Sequence, residues 1–81
     1  MKIIYHPHAR QRMRERGANQ KEVETAFHTG EKFKAKFGRV AFRRNFSHAK
    51  GKYTTKQVEV YGVMNVEKDT FVVITVICKY F

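Results

Sequence analysis

After Gly30 the spacing of apolar residues changes from a helical period to an alternating one, and that change restricts the chain to a small set of folds. Before it, two short segments carry helix punctuation. Pro7 suits the first position of a helix with His6 near its cap, and Gly17 suits the left-handed residue that ends one. On helical spacing Ala9, Met13 and the stem of Arg16 share one face, while His8, Arg12 and Glu15 share another. Asn19 followed by Glu22 resembles a capping box with Asn in the Ser/Thr place. A second helix is then expected over residues 20–29, burying Val23, Ala26 and Phe27 and stopping at Gly30.

Beyond Gly30, residues 31–37 alternate. Lys32, Lys34 and Lys36 take one face and Phe33, Ala35 and Phe37 the other, as in a half-buried strand with a basic outer face. Gly38-Arg39 reads as a turn, and residues 40–46 as a second strand. Residues 47–53 form a polar basic loop. A third strand over 57–66 places Val58, Val60, Gly62, Met64 and Val66 on one face. Residues 71–78 are apolar on both faces, which suits a strand inside a sheet. Residues 2–5 read as an extended lead into the first helix. Helices followed by strands predict an α+β fold, with two N-terminal helices packed on one face of a four-stranded antiparallel sheet. At 81 residues the chain is expected to be one domain, 1–81.

Its charge is the next constraint. Lys and Arg number 17 against 7 Asp and Glu, a formal net charge of +10, while an apolar content of 42% still suits a folded core. The excess is uneven. Residues 31–56 hold Lys32, Lys34, Lys36, Arg39, Arg43, Arg44, Lys50, Lys52 and Lys56 against Glu31 alone. Such a surface suits a polyanion: nucleic acid, an anionic surface or an acidic protein. A lone Cys78 excludes an internal disulfide and a cysteine-based zinc cluster, and reads as a buried, inert thiol. Neither a signal peptide nor a membrane span is expected, so the reading is a cytoplasmic protein without a membrane partner.

Chemistry concentrates in residues 6–17. His8 lies one helical turn before Arg12, so both side chains can reach one anion, and a helix N-terminus beside arginines favours a neutral imidazole base. The alternative is a histidine that only packs or caps. Arg12 and Arg16 form one such pair and Arg10 and Arg14 another, on different sides of the helix. Guanidinium groups suit two-point phosphate binding. Glu15 can instead pair with Arg12. Arg44 falls on the inward face of its strand beside Arg43. Either it lines a wet cleft, or the strand bulges at Arg43 and both arginines are exposed. Thr75, Tyr61 and Tyr80 are strand hydroxyls able to contact a phosphate. The histidines and carboxylates do not cluster, so no metal and no cofactor are expected.

The segment His8-Ala9-Arg10-Gln11-Arg12-Met13-Arg14-Glu15-Arg16-Gly17 resembles the HAxxRMxERG signature of a family of small bacterial domains of unknown function. Val73-Ile74-Thr75-Val76 is similar to that family's C-terminal strand. The resemblance spans nearly the whole chain. It implies a fold like that of the RelE, BrnT and EndoU-like ribonucleases, and it nominates His8, Arg12, Arg16 and Thr75. What it implies further is metal-independent RNA cleavage by the ribose 2′-hydroxyl, with His8 moving the proton and Arg12, Arg16 and Arg44 offsetting the phosphorane charge. Ala18 stands where the family pattern usually has Ile, a departure that touches helix packing.

The leading expectation is therefore a ribonuclease toxin acting on RNA or the ribosome, held by an acidic antitoxin. Arg10, Arg14, Lys32, Lys34, Lys36, Arg43, Lys50 and Lys52 would hold the backbone, and Thr75, Tyr61 and Tyr80 would support. A non-catalytic nucleic-acid-binding module and a basic domain docking an acidic protein are the alternatives.

Overall fold

A computed structural model describes residues 1–81. The order is β1 (Lys2–Tyr5), α1 (Pro7–Arg16), α2 (Gln20–Thr29), β2 (Glu31–Lys34), β3 (Val40–Ser47), β4 (Thr55–Asn65) and β5 (Thr70–Tyr80). Both helices begin and end where their local chemistry directs. His6 Nδ1 accepts from the His8 amide at 3.1 Å, Pro7 opens α1, and Gly17 closes it at φ 77°, a left-handed conformation that glycine adopts without a side-chain clash. At α2 the Asn19–Glu22 capping box forms in both directions, at 2.8 and 3.0 Å.

The α+β class holds, but the sheet differs from the one expected. It has five strands in the order β1-β5-β4-β3-β2, and β1 runs parallel to β5, so the sheet is mixed rather than four-stranded and antiparallel. Residues 2–5 are the added strand, pairing from Lys2 opposite Thr70 to Tyr5 opposite Val73. Their partner lies at the other end of the chain, and no local pattern reports a parallel pairing made across such a crossover. With β1 on one side and β4 on the other, β5 is interior to the sheet as expected, hydrogen-bonded along both edges, although the helices cover only one of its faces.

Strand β2 is shorter than its alternation suggests, and its faces are reversed. Lys32 lies opposite Phe42 and Lys34 opposite Val40, on the helix side, while Phe33 lies opposite Ala41 on the helix-free side. Paired residues share a face, and β2 is the sheet edge, where the lysine side chains remain exposed. Alternation supplies a period, not the side that is covered. The chain leaves the strand after Lys34 and turns through Phe37 and Gly38, at φ 62° and 70°. The Ala35 amide donates to the Arg39 carbonyl at 2.9 Å to close that turn.

One core fills the space between helices and sheet. Ala9 and Met13 enter it from α1, Val23 and Ala26 from α2, and Phe42, Val58, Val60, Phe71, Val73 and Val76 from the strands. Helix α1 rests on β5, and α2 on β3 and β4. Phe71 is fully buried, stacked on Phe27 at 4.9 Å and edge-on to Phe42 at 5.3 Å. A register shift at Tyr61/Gly62 leaves Ile74 out of the pairing. A Cβ at Gly62 would collide there with the Val72 carbonyl oxygen and the Phe71 ring. Buried Lys56 binds the helix junction, its Nζ donating to the Gly17 carbonyl and, at 2.9 Å, to Glu22. No helix is long and apolar enough to cross a membrane.

Candidate nucleic-acid interface

Burying Ala9 and Met13 against β5 forces the other sides of α1 outward. His8, Arg12 and Glu15 consequently form one outward row, with Arg12 half-buried between exposed His8 and Glu15. Arg12 Nε donates to His8 Nε2 at 3.1 Å, and the Arg12 guanidinium meets Glu15 at 3.0 Å. An arginine N–H can only donate, so a lone pair of His8, not a proton, points at Arg12. Gln11 donates to the second Glu15 oxygen at 3.1 Å. Hydrogen bonds from Gln11 and then Arg12 hold the Glu15 carboxyl below its ordinary range.

The remaining α1 arginines are divided by helical phase. Arg16 reaches back to the sheet and donates to the Val76 carbonyl at 2.8 Å. Its guanidinium is thus a tie between α1 and β5 as well as a charge. Arg10 lies over the Tyr5 ring at 4.5 Å, a cation–π contact. Arg14 is exposed in the last turn. Tyr80 approaches the Arg16 carbonyl at 3.5 Å and stacks edge-on with His48 at 5.0 Å.

Arg44 does line a cleft, of about 420 Å³, with Thr29, Glu31, Arg43, Asn45 and Gln57. It donates to the Thr29 hydroxyl at the end of α2. That cleft is not the His8 site. Arg44 is on β3, two strand spacings, roughly 10 Å, from the β5 strand on which α1 rests. Arg43 points to the helix-free face, paired with Glu31 at 2.7 Å and Glu59 at 3.8 Å and lying over Phe33.

Thr75 and Tyr61 are brought together, but on the other side of the sheet from His8. They pair across β4 and β5 on the helix-free face. There they line an open pocket of about 480 Å³ with Phe33, Ala35, Phe37 and Ile77, and with Lys34, Lys36 and Arg39. Beneath its rim Glu59, with a side chain only 4% exposed, accepts from the Tyr61 hydroxyl at 3.0 Å and faces Lys79 and Arg43. Burial, then the Glu59 contact, pushes the Tyr61 hydroxyl up from its ordinary pKa. Sequence reasoning missed Phe33, Phe37, Arg39 and Glu59 as a group. Glu59, a carboxylate amid the valines of β4, was the visible signal.

Of the carboxylates, Glu15, Glu22, Glu31, Glu59 and Asp69 are in ion pairs. Lys32, Lys34, Lys36, Lys50 and Lys52 have no carboxylate within ion-pair distance, nor do Arg10, Arg14 and Arg44. No three His, Cys, Asp or Glu side chains converge as a metal site would require.

Residues 5–77 match the family described as a domain of unknown function, DUF4258. The chain belongs to this family. The match takes in every helix and strand at least in part, and with them His8, Arg12, Tyr61 and Thr75. No curated protein and no solved structure matches the chain.

Proposed function

We propose that this member of the family is a metal-independent ribonuclease of the toxin type, holding RNA on the outward row of α1. The observation that supports it is the His8–Arg12 contact, which sets an imidazole lone pair beside a guanidinium on a solvent-facing turn. A phosphate arriving there competes with Glu15 and His8 for Arg12. Once released, His8 Nε2 takes the proton of the ribose 2′-hydroxyl. The 2′-oxygen attacks the adjacent phosphorus, the bond to the 5′-oxygen breaks, and the proton held by His8 passes to that leaving oxygen. Arg12 offsets the charge of the phosphorane, and Arg16, tied to Val76, positions the helix. The unpaired lysines supply backbone affinity for RNA or the ribosome, and the same charge suits an acidic antitoxin.

A second reading is RNA binding without cleavage. Arg44 and Thr75 lie away from His8, so no second element supplies an acid opposite the base. A third, docking of an acidic protein, uses the same unpaired cations. Cleavage of RNA by the purified protein in a chelator decides between them. His8→Ala and Arg12→Ala are expected to lower the rate roughly 10²- to 10³-fold while the proteins stay folded. Wild-type protein that leaves RNA and translating ribosomes intact would exclude cleavage. Salt-sensitive binding without turnover then selects the second reading, and no RNA affinity at physiological salt selects the third.

A further inference from the structure

The helix-free face carries a pocket that the α1 chemistry does not use, and we infer that it binds a single unstacked nucleotide, base on its aromatic wall and phosphate on its cationic rim. Its wall is Phe33, Ala35, Phe37, Tyr61 and Ile77, and its rim carries Lys36 and Arg39, with Lys34 lining it from the strand edge. At about 480 Å³ it falls in the range of small-molecule sites. Phe33 and Tyr61 meet edge-to-face at 6.1 Å, which fixes both rings. Phe37 is the unexplained member. It is 89% exposed at the tip of the β2–β3 turn and stands at φ 62° beside Gly38. A bulky residue there sustains backbone strain and leaves its ring in water, a combination that serves contact with something else. The rim cations have no carboxylate partner, so the phosphate of a nucleotide complements them. A flat aromatic ring among unpaired cations is the arrangement on which unpaired bases stack.

The Tyr61 hydroxyl adds direction. It donates to buried Glu59, which holds the ring in place against the pocket. This site is separate from α1, so it stands or falls independently of the cleavage reading.

Titration of the protein with AMP, followed by amide chemical shifts, tests the inference. Shifts at Phe37, Tyr61 and Thr75 are expected. Phe37→Asn, which tolerates the positive φ of the turn, is expected to weaken binding of a single-stranded oligoadenylate about tenfold with duplex RNA affinity unchanged. Shifts confined to the amides of His8 to Arg16, or equal oligoadenylate affinity in the variant, would overturn it. So would a polyglutamate peptide that moves the pocket amides where AMP does not, which would assign the face to an acidic protein.

Discussion

The two faces of this sheet are made by the same strands and obey different chemistry. On the covered face β4 presents Val58 and Val60, fully buried against the helices. On the open face lie Gln57, which donates to Asn45, and Glu59, which accepts from the Tyr61 hydroxyl and pairs with Arg43 and Lys79. The first face is stabilised by removal of apolar area from water, a term that scales with area and ignores direction. The second depends on a buried carboxylate whose partners must all be present. One face therefore gives the domain its stability, and the other gives it a shaped surface.

Four measurements test whether the two faces differ in this way. Phe71→Ala removes a fully buried ring from the covered face and is expected to lower unfolding free energy by roughly 3–5 kcal/mol in denaturant melts. Lys56→Met leaves the Glu22 carboxylate and the Gly17 carbonyl without their cation, at about 3 kcal/mol, near the lower end for a broken buried pair. Glu59→Gln keeps the shape of the open-face network but loses its charge, and is expected to cost about 1–2 kcal/mol. If Glu59→Gln destabilises as much as Phe71→Ala, the division between the faces is wrong.

The smallest effect is on pH dependence. Burial, and after it the Glu24 carboxylate, pushes the Tyr5 hydroxyl up to about 12 from 10.0. Folding thus favours the protonated phenol. Its contribution is complete below pH 10 and is lost as pH rises toward 12. Melting temperature should accordingly fall between those values, and fall less in Tyr5→Phe. An identical alkaline slope in the two proteins would assign the loss to other groups.

Much of the candidate site on α1 was legible because its causes are local. A helix repeats every 3.6 residues, so the spacing of His8, Arg12 and Glu15 placed them in one row and Ala9 and Met13 in another. The same phase argument anticipated the Arg12–Glu15 pair. Arg44 in a cleft was also readable, as a charge on an apolar face. Its separation from His8 was not, because which strand lies under which helix is set by packing far along the chain. Thr75 belongs to the same lesson. It sits one residue from core Val76, and the pleat turns the two to opposite faces.

The helix limits at His6, Gly17, Asn19 and Gly30, the α+β class, the alternation of the strands and the large positive charge were all readable from the chain. Each rests on backbone geometry or composition within a few residues. Tertiary structure decided that residues 2–5 are a fifth, parallel strand, that Phe33 faces away from the helices while Lys32 and Lys34 flank them, and that Tyr61, Thr75 and Phe37 share a pocket. Those outcomes depend on which face of the sheet the helices cover. That choice is made by burial summed over the whole core, with Phe71 at its centre, and no single segment carries it.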